Sequence, residues 1–146
     1  MSGHNFSVED DLPPRIPPRE YEVQMKTFKT AMMFGKASKL IMDFVIVEQC
    51  EYFGLVLQKY YNVKRLIGRP QEGGRFKAGA TGDFARDYYR LFYIGDHRLD
   101  RLPMSLWEGV TLLAKVSTVK RARDGDIPAA LQYSKIERLI KVVEGK

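Results

Sequence analysis

With 146 residues, 45% of them apolar and 29% charged, the chain fits one folded domain able to bury its own core. Its single cysteine, Cys50, excludes an intrachain disulfide and a cysteine-based metal site, and makes a reducing, cytoplasmic setting the default. The formal net charge of +6 favours phosphate-rich partners, and no apolar run approaches the roughly 18 residues that cross a bilayer, so no membrane partner is expected.

Residues 1–18 read as a flexible arm. Met1–Asp11 is polar and acidic, unlike a signal peptide, and Pro13, Pro14, Pro17 and Pro18 favour an extended polyproline-II segment. The folded domain is expected over residues 19–143. Tyr21, Val23 and Met25 alternate with Glu22, Gln24 and Lys26, the period of a half-buried strand, and Phe28 extends it with a register change. Thr30–Lys39 is expected as the following loop. Lys39–Val47 is apolar and β-branched and reads as a central strand, and Glu48–Glu51 as a turn. Tyr52–Val63 reads as a third strand, with Leu55, Leu57, Lys59 and Tyr61 on one face and Val56, Gln58, Tyr60 and Asn62 on the other.

Lys64–Ala80 carries five glycines and prolines (Gly68, Pro70, Gly73, Gly74 and Gly79) and is expected to be a long loop. A helix is predicted over Gly82–Tyr93, capped by Thr81 and ended by Gly95, because Phe84, Tyr88, Leu91 and Phe92 form one stripe. A short turn through Trp107 leads to a strand over Val110–Val119. Lys120–Pro128 reads as a charged hairpin loop, and Leu131–Ile140 as a last strand with some helical character, before a frayed tail at Val142–Lys146.

The order strand, strand, strand, helix, strand, strand makes the fold mainly β. It is the order of the OB-fold, a five-stranded Greek-key barrel that binds oligonucleotides on strands 2 and 3 and through the loops between strands 1–2 and 4–5. At those places the chain carries the expected chemistry. Strand 3 and its loop hold Lys59, Lys64, Arg65, Arg69, Arg75 and Lys77, interleaved with Tyr60, Tyr61 and Phe76. Cations follow a phosphate backbone and aromatic faces stack on unpaired bases. Lys36 and Lys39 lie in the acid-free 1–2 loop, and Lys120, Arg121 and Arg123 in the 4–5 loop. The tyrosines read equally as half-buried sheet residues, and the 4–5 loop equally as an ordinary charged hairpin.

Catalytic patterns are missing. His4 and His97 have no second ligand at metal spacing, and the glycines form no Walker or Rossmann pattern. Asp43 stands inside an apolar strand without a carboxylate partner. No enzyme activity, metal or cofactor is expected.

The stretches PPREYEVQMKTF (17–28), KLIMDFVIVE (39–48), EYFGLVLQKYYNVKRLIG (51–68), GDFARDYYRLF (82–92) and LQYSKIERLI (131–140) resemble the phage-type single-stranded-DNA-binding proteins of OB fold. They also resemble small proteins carried by prophages and plasmids of proteobacteria. The resemblance implies binding of single-stranded DNA without sequence preference, in replication or recombination of a phage or mobile element. It departs from that group in placing acidic residues at the N-terminus instead of in a C-terminal tail. A protein partner for the arm and a homo-oligomer both stay open. So does the alternative of an interaction protein that blocks a host protein through its basic face.

Overall fold

The computed structural model describes residues 14–92, 102–122 and 125–144. Five long strands form one antiparallel sheet in the order β3-β2-β1-β6-β9. They are β1 (Glu20–Met33), β2 (Ala37–Ile46), β3 (Val56–Asn62), β6 (Thr111–Val119) and β9 (Tyr133–Glu144). Between them lie two small hairpins, β4 (Arg65–Ile67) with β5 (Arg75–Lys77), and β7 (Arg121–Ala122) with β8 (Gly125–Asp126). The one α-helix among the described residues, α1 (Asp83–Phe92), precedes β6. None of the described helices is long and apolar enough to cross a membrane.

The alternating pattern puts every second side chain inside. Tyr21 and Val23 of β1, Leu40, Met42, Phe44 and Ile46 of β2, and Leu57 and Tyr61 of β3 are all buried. Leu112, Ala114 and Val116 complete the same face from β6. An irregularity between Met25 and Thr27 adds one residue to β1, which is why Phe28 and not Thr27 continues its inner face.

β9 has three such irregularities against β6. Its inward residues, Ile136, Leu139 and Val142, are therefore three apart. That spacing imitates a helix, yet the segment is strand throughout, including Val142–Glu144, where fraying was expected. Bulges bend and twist a strand, and the two edge strands β3 and β9 approach one another without pairing. The sheet curls and stays open.

Helix α1 lies over that gap. Its first backbone bond runs from Arg86 N–H to Gly82 O, so Gly82, not Thr81, occupies the cap position. Phe84, Ala85 and Tyr88 are buried, and Leu91 and Phe92 pack at the margin. The Phe84 ring meets Tyr61 and Phe76 edge-on at 5.2 and 5.3 Å and stacks on Trp107 at 5.9 Å. The expected end at Gly95, and His97, lie outside the described residues.

Four expected boundaries change. The 1–2 loop shrinks from Thr30–Lys39 to a tight turn, because the strand ladder continues through Met33↔Ala37. β3 begins at Val56, since Tyr52–Gly54 belongs to the preceding turn, where Gly54 adopts φ +89°. Lys64–Ala80 is not a plain loop, because β4 and β5 pair within it. The second half of the arm is also part of the body. Ile16 is buried, its N–H donates to Ser134 Oγ at 2.8 Å, and Ser134 N–H donates to Pro14 O. Residues 1–13 lie outside the described range.

Candidate functional site

The outward face of β1–β3 is built row by row from the strand register. One row is Lys29, Ile41 and Tyr60; the next is Ala31, Lys39 and Asn62; on the other side stand Thr27, Asp43 and Gln58. Tyr60 is an exposed aromatic, 47% accessible. It is not loose: its hydroxyl donates to Gln58 Oε1 at 3.1 Å, and Gln58 Nε2 donates to Asp43 Oδ1 at 3.1 Å. Thr27 Oγ1 donates to the other Asp43 oxygen at 3.3 Å. Asp43 therefore anchors a polar chain that orients the ring, which accounts for a carboxylate inside an apolar strand. Lys39 Nζ donates to Asn62 Oδ1.

At the Lys39–Asn62 end the sheet runs into the β4–β5 hairpin. Val63 N–H donates to Ser38 O, and Lys64 N–H to Lys77 O at 2.9 Å. Within the hairpin Arg65 pairs with Lys77, Leu66 with Phe76 and Ile67 with Arg75. Directly paired residues project to one face, so Arg65, Lys77 and Arg75 share the outer face. Phe76 and Leu66 point to the core. Lys64 and Arg69 are exposed nearby. Among the described residues none of these five cations has an ion pair. The hairpin is fixed against β1: Thr30 N–H donates to Gln71 O, Gly73 N–H to Phe28 O, and a bridge joins Lys29 to Glu72. Gly74 is required there, because a Cβ would lie 2.2 Å from Thr30 Oγ1.

The residues expected to form the site thus separate. Lys36, Lys39, Tyr60, Lys64, Arg65, Arg69, Arg75 and Lys77 share one end of the outer surface. Tyr61 and Phe76 are corrected: both are core residues, 1% and 6% accessible, because alternation turns them inward beneath α1. Tyr61 donates to Asp87 Oδ2 at 2.7 Å, and burial, with Asp87 beside it, holds its hydroxyl well above the usual tyrosine range.

Lys59 is corrected as well. It faces the opposite way from Tyr60, with its ammonium 4.5 Å from the centroid of the Tyr61 ring, and burial pulls it below the usual lysine range while Asp87 opposes that. It lines a cleft of about 410 Å³ between α1, β3 and β9, together with Asp83, Arg86, Asp87, Arg90, Glu137 and Arg138. Most of this cleft is paired: Arg86 with Asp83, Arg90 with Asp87, and Glu137 with Lys115. Arg90 also donates to Leu139 O and Ile140 O, bonding α1 to β9.

In the 4–5 region Lys120 and Arg121 are exposed, Arg121 pairs with Asp126 at 3.1 Å, and Arg123 lies outside the described residues. Sequence reading did not place Lys29 or the Gln58–Asp43 support of Tyr60 in the site. The signal was the register, which only the paired strands supply.

Comparison with known proteins finds no matching family model, no similar curated protein and no similar solved structure.

Proposed function

We propose that the protein binds single-stranded nucleic acid, DNA favoured, without sequence preference, and acts as a binding module and not as an enzyme. The track runs over the outer face of β2 and β3 and onto the β4–β5 hairpin. Phage or mobile-element replication or recombination is the process proposed from the sequence resemblance. The observation that carries the binding reading is the Arg65–Lys77 cross-strand pair, with Arg75 on the same face and, among the described residues, no carboxylate ion-paired with any of them. Like charges directly opposite one another destabilise a sheet by about 0.2–1 kcal/mol, a cost an anionic ligand offsets. Beside them Tyr60 offers an oriented aromatic face, and stacking on one base contributes roughly 1–3 kcal/mol.

The fold reading belongs to the same proposal. If the gap between β3 and β9 is a seam, the five strands make a circuit, which is the arrangement of a partly open OB barrel. The order β3-β2-β1-β6-β9 and the approach of the two edges support it.

The test is a fluorescence-anisotropy titration of a labelled oligo-dT at rising salt. Affinity is expected to fall log-linearly, with a slope of about −0.7 per neutralised phosphate. Tyr60→Ala should cost roughly 1–3 kcal/mol of affinity at unchanged slope and melting temperature. Tyr61→Ala should instead cost about 3–5 kcal/mol of stability. No binding, or binding indifferent to salt, overturns the proposal and puts a protein partner first.

A further inference from the structure

We propose that the cleft between α1, β3 and β9 holds a phosphomonoester, the dianionic group found on a free nucleotide and at a phosphorylated strand end. Its use as an anchor for a strand end rests on the binding reading above; its affinity for the group itself does not.

Alternation turns Lys59 inward between Leu57 and Tyr61, where the strand period calls for an apolar side chain. Its ammonium lies over the Tyr61 ring and, among the described residues, has no ion pair and no hydrogen bond. Such a charge loses hydration and gains only a ring face in return. Burial lowers its hold on the proton, while Asp87, Asp83 and Glu137 oppose that from beyond ion-pair distance.

Those three carboxylates do not meet the need, because each is already held. Arg86 binds Asp83 at 2.6 Å, and Lys115 binds Glu137 at 3.3 Å. Asp87 accepts from Arg90 at 2.8 Å and from the Tyr61 hydroxyl at 2.7 Å. Arg138 lines the same cleft, is exposed, and is likewise without an ion pair among the described residues. Lys135, near enough to repel Lys59, adds positive charge at the border. A small dianion fits this surplus. A phosphomonoester carries about −1.5 to −2 charges at pH 7, whereas a phosphodiester inside a strand carries a single one. Arginine offers phosphate oxygens a flat fork of donors, and lysine a movable point charge. The space, about 410 Å³, is of the size that encloses small ligands.

Position ties the cleft to the track. Lys59 and Tyr60 are neighbours on the edge strand β3 and project to opposite faces. Tyr133, at the start of β9, acts electrostatically on Tyr60, and Lys135, two residues on, acts on Lys59. The stacking platform and the cleft thus border the same edge. A strand that lies over Tyr60 has its end delivered beside Lys135 and Lys59.

The experiment has two arms, both with the full chain. Calorimetry compares dTMP with thymidine. Competition against an internally labelled oligo-dT compares strands ending in 5′-phosphate, in 3′-phosphate or in hydroxyls only. The cleft should bind dTMP and not thymidine. One phosphorylated end should bind about tenfold more tightly than hydroxyl ends, the worth of one charge-assisted hydrogen bond. Lys59→Met should abolish dTMP binding and the end preference, leave the hydroxyl-ended strand bound as before, and melt at or above the wild-type temperature. Arg138→Ala, at an exposed position, should weaken both in the same way and keeps the test open if Lys59→Met misfolds. Binding of dTMP without an end preference supports the cleft and assigns it to free nucleotides. Failure of oligo-dT to bind while dTMP binding depends on Lys59 overturns the track and leaves the cleft standing. Absence of both dTMP binding and end preference overturns the cleft. So does their persistence in both variants, which leaves Lys59 as a charge that guards the sheet edge against pairing.

Discussion

The β4–β5 hairpin and the α1–β9 cleft are both rich in arginine and lysine, but they use charge in opposite ways. In the cleft Arg86 and Arg90 each hold an aspartate, and Arg90 adds two carbonyls of β9. Their charge is used within the molecule: Arg86 bonds along the helix, and Arg90 joins helix to sheet. On the hairpin Arg65, Arg75 and Lys77 crowd one face, and none is ion-paired among the described residues. A count of cations along the chain does not distinguish the two regions. Pairing does, and pairing depends on which carboxylates the fold brings near.

The comparison predicts separable losses. The largest is expected for the triple change of Arg65, Arg75 and Lys77 to Ala. By the single-strand slope, three phosphate contacts are worth about a hundredfold in affinity near 0.1 M salt, and the slope should flatten by roughly two units. Melting temperature should hold. If affinity for oligo-dT stays within threefold, the hairpin is not part of the track.

Arg90→Ala should do the reverse. It removes three donated bonds and leaves Asp87, 17% accessible, with Tyr61 as its remaining partner. Allowing for the 43% accessibility of Arg90 itself, thermal or urea unfolding should show a loss of about 2 kcal/mol. Affinity of the folded fraction should not change, and a selective loss of affinity would erase the distinction between the two regions. The smallest effect is the most pointed. Lys77→Glu turns a like-charge pair with Arg65 into an attractive one, so stability should rise by about 0.5 kcal/mol while affinity falls. A variant that is less stable and binds as before contradicts the reading of the pair.

Much of the sheet was legible because its strands alternate. Tyr21, Val23, Leu112, Ala114 and Val116 fall on the inner face that their period demands. Helix α1 was legible from its i, i+4 stripe. What escaped has physical causes. β4 and β5 are three residues each, too short for a period to emerge between glycines. The alternation Arg75-Phe76-Lys77 was nevertheless a strand signal, and it would have turned Phe76 inward. β9 looked partly helical because each bulge adds a residue between inward positions. Tyr60 and Tyr61 could be assigned to opposite faces, but which face was the core needed the register with β2. Of the ion pairs that set the cleft apart from the hairpin, Arg86–Asp83 and Arg90–Asp87 follow the i,i+3 spacing of α1, while Lys115–Glu137 joins β6 to β9 and needed the strand register.

The placement of β1 has a consequence for how the chain is made. β1 begins near residue 20, yet its first half pairs with β6, about ninety residues later, as in Val23↔Leu112. Ile16 waits still longer, for Ser134. A ribosome delivers the N-terminal part first, so the β1–β2–β3 meander emerges with Tyr21 and Val23 facing an unfinished interior. Closing contacts of this span costs loop entropy before any burial compensates, which slows folding. Until β6 and β9 arrive, the free edge at Glu20–Gln24 is open to pairing with other chains. Slow, late closure and a need for protection during synthesis follow from that one long-range partnership.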